Sequence, residues 1–130
     1  MRGYSRSVRA YGYGLHKPEA LPAPLLFVQI ETAEAVRNVR EITTVPGVDV
    51  LFVGPADLGL SLSVESEGPA FEDALDHVVR AAHEKSLRAG ILVRNAADTS
   101  DLLQRGFTKL AIDSDISILR SRFLAIGTKG

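Results

Sequence analysis

Short apolar runs and amphipathic segments alternate along the chain from residue 25 onward. Four apolar runs have the length of strands buried in a parallel sheet: residues 25–30, 48–53, 91–93 and 107–112. Segments with helical spacing follow these runs, and the clearest apolar face consists of Phe71, Ala74, Leu75, Val78 and Ala82. A strand followed by a helix, repeated four times, predicts an α/β fold in which parallel strands are joined by right-handed crossovers.

Capping and helix-breaking residues predict where these elements begin and end. Thr32 is suited to cap a first helix that extends to Ile42, and Asp115 is suited to cap the last helix. We expect Gly90 to end the long amphipathic helix, because glycine is favoured just after a helix. After Pro55 we predict a polar loop that contains Ser61, Ser63 and Ser66.

The length of the chain allows one domain. Residues 1–24 are rich in Gly, Tyr, Arg and Pro and predict a connecting segment, which leaves residues 25–130 as the domain. A complete eightfold barrel takes ~250 residues, so four strand–helix units can form half of one. A small flavodoxin-like open sheet has the same order of elements and is the alternative architecture.

Composition excludes several classes of function. Fifteen Lys and Arg residues against sixteen Asp and Glu residues give a net charge of −1, so we expect neither nucleic acid nor an anionic membrane as a partner. The sequence has no cysteine, which excludes disulfide scaffolds, zinc fingers and thiol nucleophiles. No apolar run approaches the ~20 residues of a membrane span, and the first residues do not resemble a secretory signal. These features predict a cytoplasmic protein.

Two carboxylates stand where predicted strands end. Glu31 follows the first strand, and Asp57 lies shortly beyond the second. The carboxyl ends of neighbouring parallel strands meet at one edge of a sheet, where α/β folds bind ligands. A carboxylate beside a buried sheet is costly unless it is paired, hydrogen-bonded or bound to a metal. Two oxygen ligands suit Mg²⁺ or Mn²⁺; alternatively, Glu31 caps the next helix or pairs with an arginine.

The turn before Asp57 is a second candidate for ligand binding. In Gly54-Pro55-Ala56-Asp57, glycine permits close approach of a ligand, and N–H groups near Ala56 can hold a carboxylate oxygen. The plainer interpretation is a strand-to-loop turn in which Asp57 forms an Asx cap. Gln29 can reach a substrate oxygen or only satisfy the backbone. We expect the histidines to be structural or solvated, namely His16, His77 and His83.

These residues resemble those of the HpcH/HpaI aldolase family, the metal-dependent pyruvate aldolases of the phosphoenolpyruvate/pyruvate barrel superfamily. The matching segments are a Q-x-E motif at 29–31, a V-P-G-V-D motif at 45–49 and a G-P-A-D-L motif at 54–58. Looser similarity covers Arg2-Gly3 and Arg9-Ala10, and residues 88–91 and 112–115. The resemblance implies that residues 25–130 are a partial aldolase domain, the C-terminal half of a TIM-type barrel.

The resemblance implies a lyase that reversibly cleaves a 4-hydroxy-2-oxo acid to pyruvate and an aldehyde. Glu31 and Asp57 would ligate a divalent metal, which is Mg²⁺, Mn²⁺ or Co²⁺. Gln29 would contact the pyruvate oxygens, and backbone N–H groups around Gly54 and Ala56 would bind the pyruvate carboxylate. The metal would stabilise the enolate that forms when the C–C bond breaks.

The resemblance also implies that parts of the family's active site have no counterpart here. The family's catalytic His and Arg belong to its first four βα units, so no catalytic residue is predicted in this sequence, and neither Arg2 nor Arg94 is assigned to the Arg position. Family members assemble as hexamers with an exchanged last helix, so we expect a homo-oligomer or a complementing chain. The alternative function is a catalytically inactive half-barrel that binds metal and oxo acid or only associates with a partner chain.

Overall fold

The fold alternates strands and helices within residues 23–63 and 68–127, the parts of the chain that the computed structural model describes. The strands are β1 (Phe27–Ile30), β2 (Val50–Val53), β3 (Arg88–Val93) and β4 (Phe107–Ile112). The α-helices are α1 (Ala33–Arg37), α2 (Val39–Ile42), α3 (Pro55–Leu62), α4 (Pro69–Glu84), α5 (Thr99–Arg105) and α6 (Asp115–Gly127). Residues 1–22 of the predicted connecting segment lie outside the described residues.

The four strands form one parallel sheet in the order β1-β2-β3-β4. Ile30 pairs with Val53, and Val53 pairs with Ile91, so the carboxyl ends of the first three strands lie at one edge. The register shifts between β3 and β4 at Ala89/Gly90. Because each strand neighbours the next one along the chain, the sheet has the strand order of half a barrel, and the predicted α/β fold class is confirmed.

The hydrophobic core lies between the sheet and α4. All five residues of the predicted apolar face of α4 are buried: Phe71, Ala74, Leu75, Val78 and Ala82. They pack against strand residues that include Ile30, Leu51, Val53 and Phe107. Burial of each of the larger side chains among them, such as Phe71, Leu75 and Val78, stabilises the fold by about 1.5–3 kcal/mol. The core therefore holds β1 and β2 in register and fixes where their carboxyl ends lie.

The prediction of a polar loop after Pro55 is wrong, because this segment forms α3. Gly54 is the N-cap, and Pro55 occupies the first helical turn, where its fixed φ and missing N–H cost nothing. Leu58 is fully buried and anchors the helix to the core. Ser61 therefore lies on a helix, whereas Ser66 lies outside the described residues.

The first predicted helix is interrupted. It begins as expected, with the Thr32 hydroxyl oxygen accepting the Ala35 N–H at 3.0 Å. At Asn38 the backbone leaves the helical region, with φ of −94° and ψ of 7°, and separates α1 from α2. The apolar spacing that predicts one helix is shared by both halves, so it does not reveal the break.

Two helix caps, predicted at Gly90 and Asp115, do not lie at these residues. The long helix α4 ends at Glu84, whereas Gly90 lies inside β3. A β-carbon on Gly90 would lie 2.7 Å from the Phe52 ring and 2.9 Å from the Lys109 carbonyl oxygen, so close packing explains this glycine. At the last helix, the hydroxyl oxygen of Ser114 accepts the Ser117 N–H at 3.2 Å, one residue before the expected cap at Asp115.

Large apolar side chains are exposed at both ends of the sheet. On β1, which pairs on one side within the described chain, Phe27 is 43% exposed. On α6, which follows β4, Ile116 is 74% and Phe123 is 71% exposed. No helix in the described parts of the chain combines the length and hydropathy needed to cross a membrane. Exposed apolar side chains of this size are unusual on the surface of a folded monomer.

Candidate functional site

The candidate site lies at the carboxyl edge of β1 and β2. Glu31 directly follows β1, and Asp57 lies in the first turn of α3, which follows β2. Pairing of Ile30 with Val53 brings Glu31 beside Gly54, whose N–H donates to the Ile30 carbonyl oxygen at 3.4 Å. The parallel register therefore brings the two predicted metal ligands to one place.

Both carboxylates lie close to Gly54, on the side where a β-carbon would stand. A β-carbon at Gly54 would lie 3.3 Å from Glu31 Oε2 and 3.7 Å from Asp57 Oδ2. The two oxygens are therefore no further apart than the sum of these distances, 7.0 Å. Oxygens that share a Mg²⁺ ion each lie about 2.1 Å from it, so about 4 Å separates them at most. Glu31 is half-buried and Asp57 is exposed, which leaves both side chains room to rotate onto one ion.

The alternative interpretations of the two acids do not hold in the structure. Thr32, not Glu31, caps α1. The ion pairs of the described residues join Arg40 to Glu84 and Arg105 to Glu72 and Asp76, and do not involve Glu31. Asp57 lies inside α3 and Gly54 is its N-cap, so the Asx cap is excluded.

The start of α3 presents backbone donors next to the acid pair. Gly54 supplies no side-chain cap, and Pro55 has no N–H. The N–H groups of Ala56 and Asp57 therefore have no acceptor within the helix. The positive end of a helix dipole favours an anion at such a position, and a carboxylate is one.

Gln29 lies on the other face of the sheet from the buried core. Its strand neighbour Ile30 is fully buried against the helices, and successive strand residues point to opposite faces. Gln29 itself is exposed and pairs with Phe52 on β2. It is two residues before Glu31, which places its amide near the same edge of the sheet.

A pocket of about 460 Å³ adjoins Ala56 at the carboxyl end of β3. Arg94 and Arg105 contribute positive charge to its lining, and Glu72, Asp98 and Asp101 contribute negative charge. Burial alone would lower the pKa of Arg105, but hydrogen bonds to Asp76 and Glu72 outweigh it and raise this pKa. Arg105 is thus fully engaged in joining α5 to α4.

The histidines and the remaining acids do not extend the site. Among residues 23–63 and 68–127, no three His, Cys, Asp or Glu side chains are grouped as metal ligands. His83 Nε2 lies 3.2 Å from the Gly106 carbonyl oxygen, which is a structural contact. Further ligands on an ion held by Glu31 and Asp57 would come from substrate and water, as is usual for Mg²⁺.

One structural acid, at the amino end of β2 and so opposite the candidate site, is not predicted from the sequence. Asp49 Oδ2 accepts the Leu26 N–H at 2.7 Å, and the Asp49 N–H donates to the Leu26 carbonyl at 3.0 Å. These two hydrogen bonds join the segment before β1 to the segment before β2. The signal in the sequence is the aspartate directly ahead of a buried run, but the spacing does not identify its partner.

The sheet, its strand order and the acids at its carboxyl edge define a class of protein: a (β/α) domain with the architecture of half a barrel. The family model for HpcH/HpaI aldolase/citrate lyase matches residues 9–121. The chain belongs to this family, and the predicted family and fold are confirmed.

Curated relatives with aldolase activity in their names are similar over most of this chain. A hydroxypyruvate/pyruvate aldolase of Paraburkholderia phytofirmans is 36% identical over 88% of the chain and 46% of that protein. A 5-keto-4-deoxy-D-glucarate aldolase of Shigella boydii is 33% identical over 93% of the chain and 49% of that protein. The chain thus spans about half the length of the curated relatives it matches.

A solved structure agrees with the fold. The HpcH/HpaI aldolase/citrate lyase family protein of Burkholderia cenocepacia superposes with a TM-score of 0.74 and 31% identity. The match covers 98% of this chain and 52% of that one. The half-barrel architecture therefore follows both from this chain's sheet and from its relatives.

Proposed function

We propose that this chain carries the metal- and oxo-acid-binding half of a divalent-metal-dependent pyruvate aldolase. The reaction is the reversible cleavage of a 4-hydroxy-2-oxo acid to pyruvate and an aldehyde. The observation that carries the proposal is the position of Glu31 Oε2 and Asp57 Oδ2, which lie on the same side of Gly54. The names of the aldolase relatives support the reaction class.

The donor set fits a hard divalent cation. Glu31 and Asp57 offer carboxylate oxygens, the ligands that Mg²⁺ and Mn²⁺ prefer, and Co²⁺ accepts them too. When bound, the ion would supply a Lewis acid for the negative charge that develops on the keto oxygen of the substrate. Two negative charges held close together without a cation repel each other, which favours its binding.

The neighbouring groups would hold the oxo acid. The N–H groups of Ala56 and Asp57 at the start of α3 would donate to its carboxylate, and Gly54 leaves room for close approach. The amide of Gln29 would donate to a substrate oxygen. These contacts would orient the C3–C4 bond of the substrate, which is the bond that breaks.

Proton transfer is the step for which this chain offers no assigned group. Cleavage needs a base for the C4 hydroxyl proton, and a proton returns to C3 of the product. No histidine joins the acid pair among the residues that the structure describes. This observation favours a second candidate function, a half-barrel that binds metal and oxo acid, or only associates with a partner chain, without turnover.

Thermal unfolding with Mn²⁺ and pyruvate tests the proposed site. A ligand present at 100 times its Kd stabilises the folded state by about 2.7 kcal/mol and raises the melting temperature. We expect Glu31→Gln and Asp57→Asn each to abolish this rise, whereas Glu34→Gln and Asp73→Asn, on exposed helix positions, leave it intact. A rise that survives both site substitutions would show that the site is wrongly assigned.

An aldol-cleavage assay separates the two candidate functions. Metal-dependent release of pyruvate by the purified chain, lost in Glu31→Gln, would establish turnover. Binding of Mn²⁺ and pyruvate without release of product would establish the non-catalytic half-barrel.

A further inference from the structure

Ser61 on α3 makes a contact that the assigned site residues do not explain. Its hydroxyl oxygen accepts the Ala33 N–H at 3.0 Å, although 28 positions separate the two residues in sequence. Ala33 is the first residue of α1 and lies two residues after Glu31. The bond therefore joins the helix that carries Asp57 to the segment that carries Glu31.

The position of Ser61 on α3 matches that of Asp57. Residues four apart lie on the same face of a helix, one above the other, about 6 Å apart along the axis. Asp57 and Ser61 thus form a polar stripe, while Leu58 is buried in the core. One end of the stripe lies beside Glu31 at Gly54, and the other end holds Ala33.

Two side-chain hydroxyl oxygens accept hydrogen bonds from backbone N–H groups at the start of α1. The first-turn N–H groups of a helix have no acceptor inside it. The Thr32 hydroxyl oxygen accepts the Ala35 N–H, and Ser61 accepts the Ala33 N–H from across the site. Of these two bonds, the one from Ser61 connects α1 to α3. Without it, the segment after Glu31 would lose a hydrogen bond that ties it to the helix bearing the second carboxylate.

We propose that Ser61 is a positioning residue of the two-carboxylate site and holds the Glu31 carboxylate in reach of Asp57. This inference rests on the proposed function for its metal and on the structure for its geometry. Groups that orient metal ligands from outside the coordination shell commonly affect affinity by an order of magnitude.

Mn²⁺ affinity, measured by electron paramagnetic resonance well below the melting temperature, tests the inference. We expect Ser61→Ala to weaken Mn²⁺ binding about three- to tenfold, because the Ala33 N–H loses its acceptor. Ser61→Thr keeps the hydroxyl and should bind within about twofold of the wild type. Thr43→Ala, which removes a hydrogen bond to Arg40 ahead of β2, is the matched control and should bind Mn²⁺ normally.

Further variants and a metal-free measurement keep the outcomes separate. If Ser61→Ala does not fold, Ser61→Cys is measured in its place. The cysteine has the same shape as serine, and its sulfur is only a weak acceptor for the Ala33 N–H. Unchanged Mn²⁺ affinity in the variants would overturn the role of Ser61 while the proposed function stands. If the wild type binds no Mn²⁺, the proposed function fails. Amide hydrogen exchange then tests whether Ser61 holds the start of α1. If the Ala33 N–H exchanges no faster in Ser61→Ala than in the wild type, the structural link between α1 and α3 is overturned as well.

Discussion

The candidate site depends on a residue that has no side chain. Gly54 has φ of −96°, which most residues adopt, so its backbone does not require glycine. The requirement is space, because a β-carbon would lie 3.3 Å from Glu31 Oε2, which is closer than most such contacts. The carboxylate would have to shift by a few tenths of an ångström, and it belongs to a proposed metal ligand.

Gly54→Ala tests this requirement at the scale of one residue. We expect the added methyl group to displace the Glu31 carboxylate and to weaken Mn²⁺ binding about tenfold, with a loss of stability of about 1 kcal/mol. Isothermal titration calorimetry and urea unfolding would measure the two effects. Gly127→Ala meets no atom within 4 Å and serves as the control. Wild-type affinity in Gly54→Ala would contradict the crowding argument.

At the scale of elements, periodicity predicts the strands and α4 well and predicts their connections poorly. The apolar face of α4 is buried as predicted, because burial of that face determines where the helix packs. The helix α3 contains Ser61, which is predicted from the sequence to lie in a loop, and its Gly-Pro start and the buried Leu58 are the features that fit a helix. Gly90 resembles a helix end in sequence because glycine serves both turns and close packing.

Gly90→Ala tests the packing of β3. The new methyl group would meet the Phe52 ring and the Lys109 carbonyl oxygen, so we expect a loss of about 1–3 kcal/mol in urea unfolding. Adding Phe52→Leu should recover only part of this loss, because the Lys109 carbonyl belongs to the backbone and stays in place. Full recovery, or no loss at all, would show that the strands adapt more than the structure indicates.

The candidate site, like the fold, is predicted from the sequence only in part. Glu31 and Asp57 could be placed at one edge because parallel register brings the ends of neighbouring strands together. The contact of Ser61 could not be predicted, and neither could that of Asp49 at the opposite edge of the sheet, since each side chain accepts a backbone N–H distant in sequence. Every residue except proline has a backbone N–H, so the residue type does not show which distant side chain will accept it.

At the scale of the whole molecule, the described chain leaves apolar surface uncovered. The residues of α6 that are more than half exposed include Ile116, Leu119, Phe123, Leu124 and Ile126. Phe27 and Leu26 are exposed at the other end of the sheet. Surfaces of this kind support the proposal that the chain works with another polypeptide, either a second copy or a complementing chain.

Phe123→Glu tests association through α6. We expect the purified chain to sediment above the mass of a monomer and the variant to sediment as a monomer with unchanged helix content, because a charge on an apolar contact is costly to bury. Ser117→Glu, on the same helix, is the control for added charge. A wild-type chain that is monomeric at micromolar concentration would contradict self-association.

The central claim is that one divalent cation is held jointly by the carboxylates that follow β1 and β2. The most direct measurement is a crystal structure of the chain soaked with Mn²⁺ and pyruvate, with the ion located by its anomalous scattering. We predict an anomalous peak bonded to oxygens of both Glu31 and Asp57, about 2.2 Å from each. A peak elsewhere, or one bonded to neither carboxylate, would contradict the account.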